Sequence, residues 1–425
     1  MFHRTKLKNG MRLITIPVKG SDVVTVLVLI KAGSRYEPAN LAGISHFSEH
    51  MFFKGTKKRP TVMAISSEID GVGGATNAFT AKEYTGFYIK VAKKYLNLAI
   101  DVLADILQNS TFQDREINNE KGVILQEINL DHDTPLIYIQ KFFDQLLYSG
   151  HPLGRDILGE KKTVVQIQRE DFVNYLKNLY TAENTVVVIT GALAEAKNIE
   201  NTIQSNFQFP PTKKVNSFER IIECQKEPNS IFKKQKTKQT HLCLGVRGYS
   251  HVDPKKYILE IISSIIGGGM SSRLFNEIRD KRGLAYYIKS SFEAYKDCGY
   301  LMIQAGVDHK NLKRTIWVIL KELTKLKNHR ISPKELTKAK EYLKGTITLN
   351  IEDSLVLAEL IGLQELLHEE TLDIKEIFEK IDQVSPEDVQ AVAQELFVNS
   401  GLNLAIISGK DDREQIKNIL KLSER

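Results

Sequence analysis

The chain repeats itself, and the repeat constrains its fold more than any single motif does. Residues 31–38, Lys-Ala-Gly-Ser-Arg-Tyr-Glu-Pro, follow a strongly β-forming run from Val23 to Ile30. At an offset of 216, residues 245–254, Gly-Val-Arg-Gly-Tyr-Ser-His-Val-Asp-Pro, follow another strand. The same offset superimposes Leu96, Ile100, Val102 and Leu107 on Leu312, Ile316, Val318 and Leu323, both sets at helical spacing. Each half closes on a β-branched run, Val186 to Gly191 and Leu404 to Gly409, that leads into a helix. A proline-broken, lysine-rich stretch from Phe207 to about Lys238 marks the join. These signals predict domains at 1–209 and 239–425 around a linker at 210–238, and 425 residues are enough for two cores.

The two copies differ where chemistry is concerned. Residues 46–50 of the first read His-Phe-Ser-Glu-His. On a helix, His46 and His50 project from one face within reach of a single ion, and Glu49 can handle a water without binding the metal. This order inverts the H-E-x-x-H pattern of zinc proteases. The offset of 216 puts Ile262, Ile265 and Ile266 opposite His46, Glu49 and His50, so the second copy cannot bind zinc there.

Catalytic zinc usually takes three protein ligands and leaves one position for water. Residues 116–128 have helical periodicity, with Glu120 and Glu127 seven apart on one face and Ile117, Val123, Ile124 and Ile128 as apolar positions. Spacing alone leaves open which carboxylate completes the metal site and which one hydrogen-bonds a ligand. At an offset of 219 the second copy holds Ala339 and Thr346 in their place.

The motif continues as Met-Phe-Phe-Lys-Gly-Thr over residues 51–56, and the whole resembles the pitrilysin/insulinase/mitochondrial-processing-peptidase superfamily of zinc peptidases. The resemblance implies a third ligand 77 positions after the second histidine, which is Glu127, and a supporting glutamate seven residues earlier, Glu120. Residues 73–80, Gly-Gly-Ala-Thr-Asn-Ala-Phe-Thr, are similar to the family's substrate-binding edge strand, which assigns substrate contacts to Asn77 and Ala78. Residues 151–159 resemble a family loop, and the glycines at 267–269 with Arg279 and Tyr286 resemble its downstream signature. In the family that Arg/Tyr pair binds substrate and steadies the transition state.

The implied fold class is α+β: two tandem homologous domains, each a mostly antiparallel β-sheet with helices packed on it. The implied activity is a zinc endopeptidase with one Zn²⁺ per chain and Glu49 as general base, acting on peptides or unfolded polypeptide segments. The alternative is a non-catalytic structural or partner-binding subunit of the same fold, but such members typically lack a zinc residue, and here all four are present. Longer members carry four such domains, with the zinc motif in the first and the Arg/Tyr pair in the last. A two-domain chain bearing both is therefore expected to form a homodimer whose active site is completed in trans.

Net charge +7 comes with short basic clusters at 57–59 and 233–238 of the kind found on solvated loops, and without interleaved aromatics no nucleic-acid partner is expected. No apolar run approaches the roughly 18–20 residues needed to span a bilayer, so no membrane partner is expected. The N-terminus runs directly into an alternating strand from Met11 to Val18, without a secretory signal. Three cysteines, Cys224, Cys243 and Cys298, lack paired spacing, which predicts reduced thiols and a cytoplasmic location.

Overall fold

The computed structural model describes residues 2–193, 198–211, 217–368, 370–410 and 419–422, and it carries two sheets. The first contains β1 (His3–Lys6), β2 (Arg12–Pro17), β3 (Val23–Ile30), β4 (Ala75–Thr80), β5 (Thr85–Ala92) and β6 (Thr185–Gly191), in the order β1-β2-β6-β3-β5-β4. The second contains β7 (Asn229–Lys234), β8 (Thr240–Gly248), β9 (Ala285–Ala294), β10 (Gly299–Val307) and β11 (Asn403–Ser408), in the order β7-β11-β8-β10-β9. Without β1, the two orders are the same. In both sheets one pair is parallel, β2 with β6 and β7 with β11, and the remaining pairs are antiparallel. The α+β duplication expected from the sequence is thus present, with every strand but β1 repeated.

The central strands read as continuous apolar runs because both their faces are covered. In β3, Val24, Val26, Val28 and Ile30 join a core with the helix Leu96–Asn109, while Thr25 and Leu27 alternate to the other face. There Thr25 Oγ1 meets Ser354 Oγ at 2.7 Å, at the start of the helix Ser354–Leu367. In the other unit, the helix Pro135–Leu147 packs Ile139, Phe143 and Leu146 against Cys243, Tyr300, Met302 and Ala405.

Those last two helices correct the expected contiguous division at 209 and 239. The compact units are residues 1–129, 155–219 and 348–373, and residues 130–154, 220–347 and 374–425. The two helices are equivalent at an offset of 219, and each belongs to the unit built mainly from the opposite half of the sequence. Nothing local encodes this, because an amphipathic helix specifies its buried face and not the sheet that buries it.

Three smaller readings also change. The supposed linker contains β7, whose Lys233 and Lys234 read as a solvated loop but lie on an edge strand, with the half-buried Lys233 placing its ammonium 3.9 Å from the centre of the Tyr138 ring. Residues 245–248 belong to β8 instead of following it. Val123 is 50% exposed and is no part of the core. The helix expected after Gly409 falls on 411–418, outside the described residues.

Candidate metal centre

The motif forms the helix Ile44–Phe52 because Ile44, Phe47 and Met51 recur at helical spacing and are fully buried. Phe47 meets Phe172 edge-to-face at 4.9 Å, and Phe52 meets Phe87 in the same way at 5.2 Å. Each such burial stabilises the element by about 1.5–3 kcal/mol. Gly43 precedes the helix at φ +99°, a left-handed conformation that glycine adopts without steric cost. It offers no side chain to cap the helix. Instead the buried Glu37 accepts from Gly43 N and Ser45 N, both at 2.8 Å. Burial pushes the Glu37 carboxyl up to about 7, against the pull of the Ser45 and Gly43 hydrogen bonds and of Arg155.

The second contributor is the helix Asp114–Asp133, anchored by Ile117, Ile124 and Ile128. Its polar face presents Glu120 and Glu127 to the histidines. Glu127 Oε2 lies 3.7 Å from His46 Nε2 and 3.8 Å from His50 Nε2, and the two imidazole centroids are 4.4 Å apart. One ligand atom from each of these three residues lies within 4.8 Å of the others. Zinc bonds of about 2.0–2.2 Å in tetrahedral geometry require ligand atoms roughly 3.3–3.6 Å apart, so this donor set fits the ion after small side-chain adjustments.

The surroundings orient the ligands. Glu120 is 4% exposed; its Oε1 lies 2.8 Å from His50 Nδ1, and its Oε2 takes a 2.6 Å ion pair from Lys54. A carboxylate can only accept, so Nδ1 carries the proton and Nε2 keeps its lone pair for a metal. Burial alone would raise the Glu120 carboxyl, but the hydrogen bonds from His50 and Lys54 outweigh it and hold the group below its ordinary value. Glu120→Gln is expected to weaken zinc binding and lower activity by about 10–100-fold, which competition with a chelator and a peptide assay would measure.

Glu49 is not among the converging ligand atoms. Its Oε2 accepts from Thr80 Oγ1 at 2.5 Å, which ties it to the last residue of β4. Burial raises its carboxyl above the ordinary range, opposed by the Thr80 hydrogen bond and His50 and reinforced by Glu127. A raised carboxylate is a stronger base. β4 ends its sheet, leaving one side of the strand open; Ala78 faces the core and Asn77 faces solvent, with Asn77 Oδ1 accepting from Ala78 N at 2.9 Å.

Arg279 and Tyr286 belong to the other compact unit and are both exposed, Tyr286 by 76%. The Arg279 guanidinium lies 4.8 Å from the centre of the Phe275 ring. Among the described residues, the second copy has no comparable centre. Ile262, Ile265 and Ile266 are buried core residues, Ala339 is buried, and Thr346 donates back to Tyr342 O.

Three polar partners were not foreseen from the sequence. Lys54 lies four residues after His50, a spacing that could have suggested it on a longer helix, although the helix ends at Phe52. Thr80 shares a strand face with Ala78. Glu37 gives no local signal, because its bonds cross a loop.

Residues 12–161 match the family profile described as "Insulinase (Peptidase family M16)", and residues 166–343 match "Peptidase M16 inactive domain". An uncharacterized zinc protease of Bacillus subtilis is 34% identical over 410 residues, covering 96% of this chain and 98% of its own length. One from Streptomyces coelicolor is 32% identical over 419 residues, covering 97% and 90%. Among solved structures, a protease from Helicobacter pylori is similar in fold, with a TM-score of 0.89 at 22% identity over 96% of this chain and 99% of that one.

Proposed function

The chain belongs to the insulinase family of peptidases, M16, and from that premise we propose that it is a zinc endopeptidase cutting peptides or unfolded segments. The observation that carries this reading is the convergence of His46, His50 and Glu127 beside the separately held Glu49. In this reading His46, His50 and Glu127 would hold one Zn²⁺ per chain. When bound, the ion supplies a Lewis acid for the scissile carbonyl and lowers the pKa of a water towards about 7. Glu49 would accept a proton from the attacking water and deliver it to the leaving amine. Arg279 and Tyr286 donate hydrogen bonds to the substrate carbonyl as charge develops on it.

Substrate is read as an added strand on the open edge of β4, around Asn77 and Ala78. That mode requires extended backbone. A denatured, reduced polypeptide is therefore expected to be cut readily, and the same protein locked by disulfides to resist; rapid cleavage at the native surface of the locked form would count against strand addition. We further propose that the enzyme works as a homodimer, with Arg279 and Tyr286 of one chain serving the metal centre of the other. Three free cysteines fit a reducing, cytoplasmic location; among the described residues, no helix is long and apolar enough to cross a membrane. The direct test is to load the chain with zinc and follow a quenched fluorescent peptide. Zinc binding without hydrolysis of any peptide in a library would favour the non-catalytic alternative.

A further inference from the structure

Both copies of the repeat carry an acidic residue and a proline ahead of the same helix, Glu37-Pro38 and Asp253-Pro254, but use them differently. Asp253 is half-buried and caps locally: its Oδ1 accepts from Lys255 N at 2.8 Å, and the helix Lys256–Gly267 begins at once. In the first copy residues 38–43 intervene, and the motif helix begins only at Ile44. His46 is thus the third residue of its helix, with no full turn before it to stiffen it, whereas its counterpart Ile262 lies well inside a longer helix. Glu37, 3% exposed, reaches across the intervening loop to hold the two backbone N–H groups that flank the helix start. These belong to the donors that a helix cannot satisfy internally, and a carboxylate there also meets the positive end of the helix dipole.

The clamp is itself braced. Arg155 Nη1 donates to Glu37 O at 2.8 Å, and Lys82 Nζ donates to Arg155 O. Arg35 N donates to Lys82 O at 2.8 Å, and Arg35 Nη1 pairs with Glu83 Oε1 at 2.6 Å, both side chains fully or nearly buried. Any Cβ on Gly33 would lie 2.5 Å from Ala81 O, so the docking of segment 33–37 on hairpin loop 81–84 requires glycine. That loop follows Thr80, the partner of Glu49. The second copy keeps the docking, with His251 N donating to Tyr295 O at 2.9 Å, but among the described residues it shows no long-range clamp, Asp253 accepting from the nearby Lys255 N instead. Docking therefore belongs to the shared fold, and the clamp accompanies the residues that face the metal.

We propose that Glu37 is a positioning residue for the metal centre, anchoring the first turn of the motif helix so that His46 meets Glu127. The proposal rests on the zinc-peptidase reading above. It is tested in the full-length chain with Zn²⁺ as the probe, by competition against a chromophoric chelator. Metal-free Glu37→Gln is expected to keep the circular dichroism of the unaltered chain and lose about 10–100-fold in zinc affinity. Asp253→Asn, at the equivalent position of the second copy, is expected to change affinity by less than about twofold.

A folded Glu37→Gln that binds zinc like the unaltered chain overturns the proposal, as does an equal loss in Asp253→Asn. If Glu37→Gln does not fold, Glu37→Asp decides, because its shorter side chain reaches one of the two N–H groups. A partial loss of affinity then supports the clamp. Unchanged affinity, or failure of this variant to fold as well, assigns Glu37 to the fold alone. An unaltered chain that binds zinc but cuts no peptide sinks the peptidase reading and leaves the affinity comparison standing; one that binds no zinc sinks both.

Discussion

Glu49→Gln is expected to bind zinc like the unaltered chain and to lose peptide hydrolysis by about 10²–10⁴-fold or more, the usual weight of a general base. The amide matches the carboxylate in shape and keeps an oxygen that can accept from Thr80 Oγ1. It cannot take a proton from water. The zinc set is untouched, because Glu49 is not one of the three side chains whose ligand atoms converge. His46→Ala, by contrast, removes a converging nitrogen and is expected to lose metal and activity together. Metal analysis beside a peptide assay separates the two variants. Zinc missing from Glu49→Gln, or near-normal turnover in it, would show that Glu49 has a different role.

Mixing inactive His46→Ala with weakly active Tyr286→Phe, under conditions that exchange subunits, is expected to raise activity well above either parent. In a homodimer completed in trans, a mixed dimer pairs an intact metal centre from one chain with the other chain's intact Tyr286. Half of the dimers are mixed after random exchange and each holds one good site of two, so recovery should approach about a quarter of the unaltered activity. The exposure of Arg279 and Tyr286 on their own unit motivates the experiment. A demonstrated exchange with no rise above the parents means that the pair acts in cis.

The sequence by itself determined the parts of this protein that depend on short-range periodicity. Four-residue spacing put His46, Glu49 and His50 on one helix, and seven-residue spacing put Glu120 and Glu127 on one face of another. The duplication was legible for the same reason, since each strand and helix repeats its own apolar pattern, down to the isoleucines in place of the metal-facing residues. Spacing does not state that the two helices are close, and only the family resemblance points to Glu127 as the third ligand.

Tertiary structure alone decided which elements meet. It gave Glu120 its Lys54 partner and Glu49 its Thr80, and carried the Glu37 carboxylate across a loop to the start of the motif helix. It also exchanged the helices Pro135–Leu147 and Ser354–Leu367 between the units and turned a lysine-rich linker into β7. The physical reason is common to all of these. Local pattern states which face of an element must be covered, but the partner that covers it is selected by long-range packing, to which neighbouring residues in the chain carry no record.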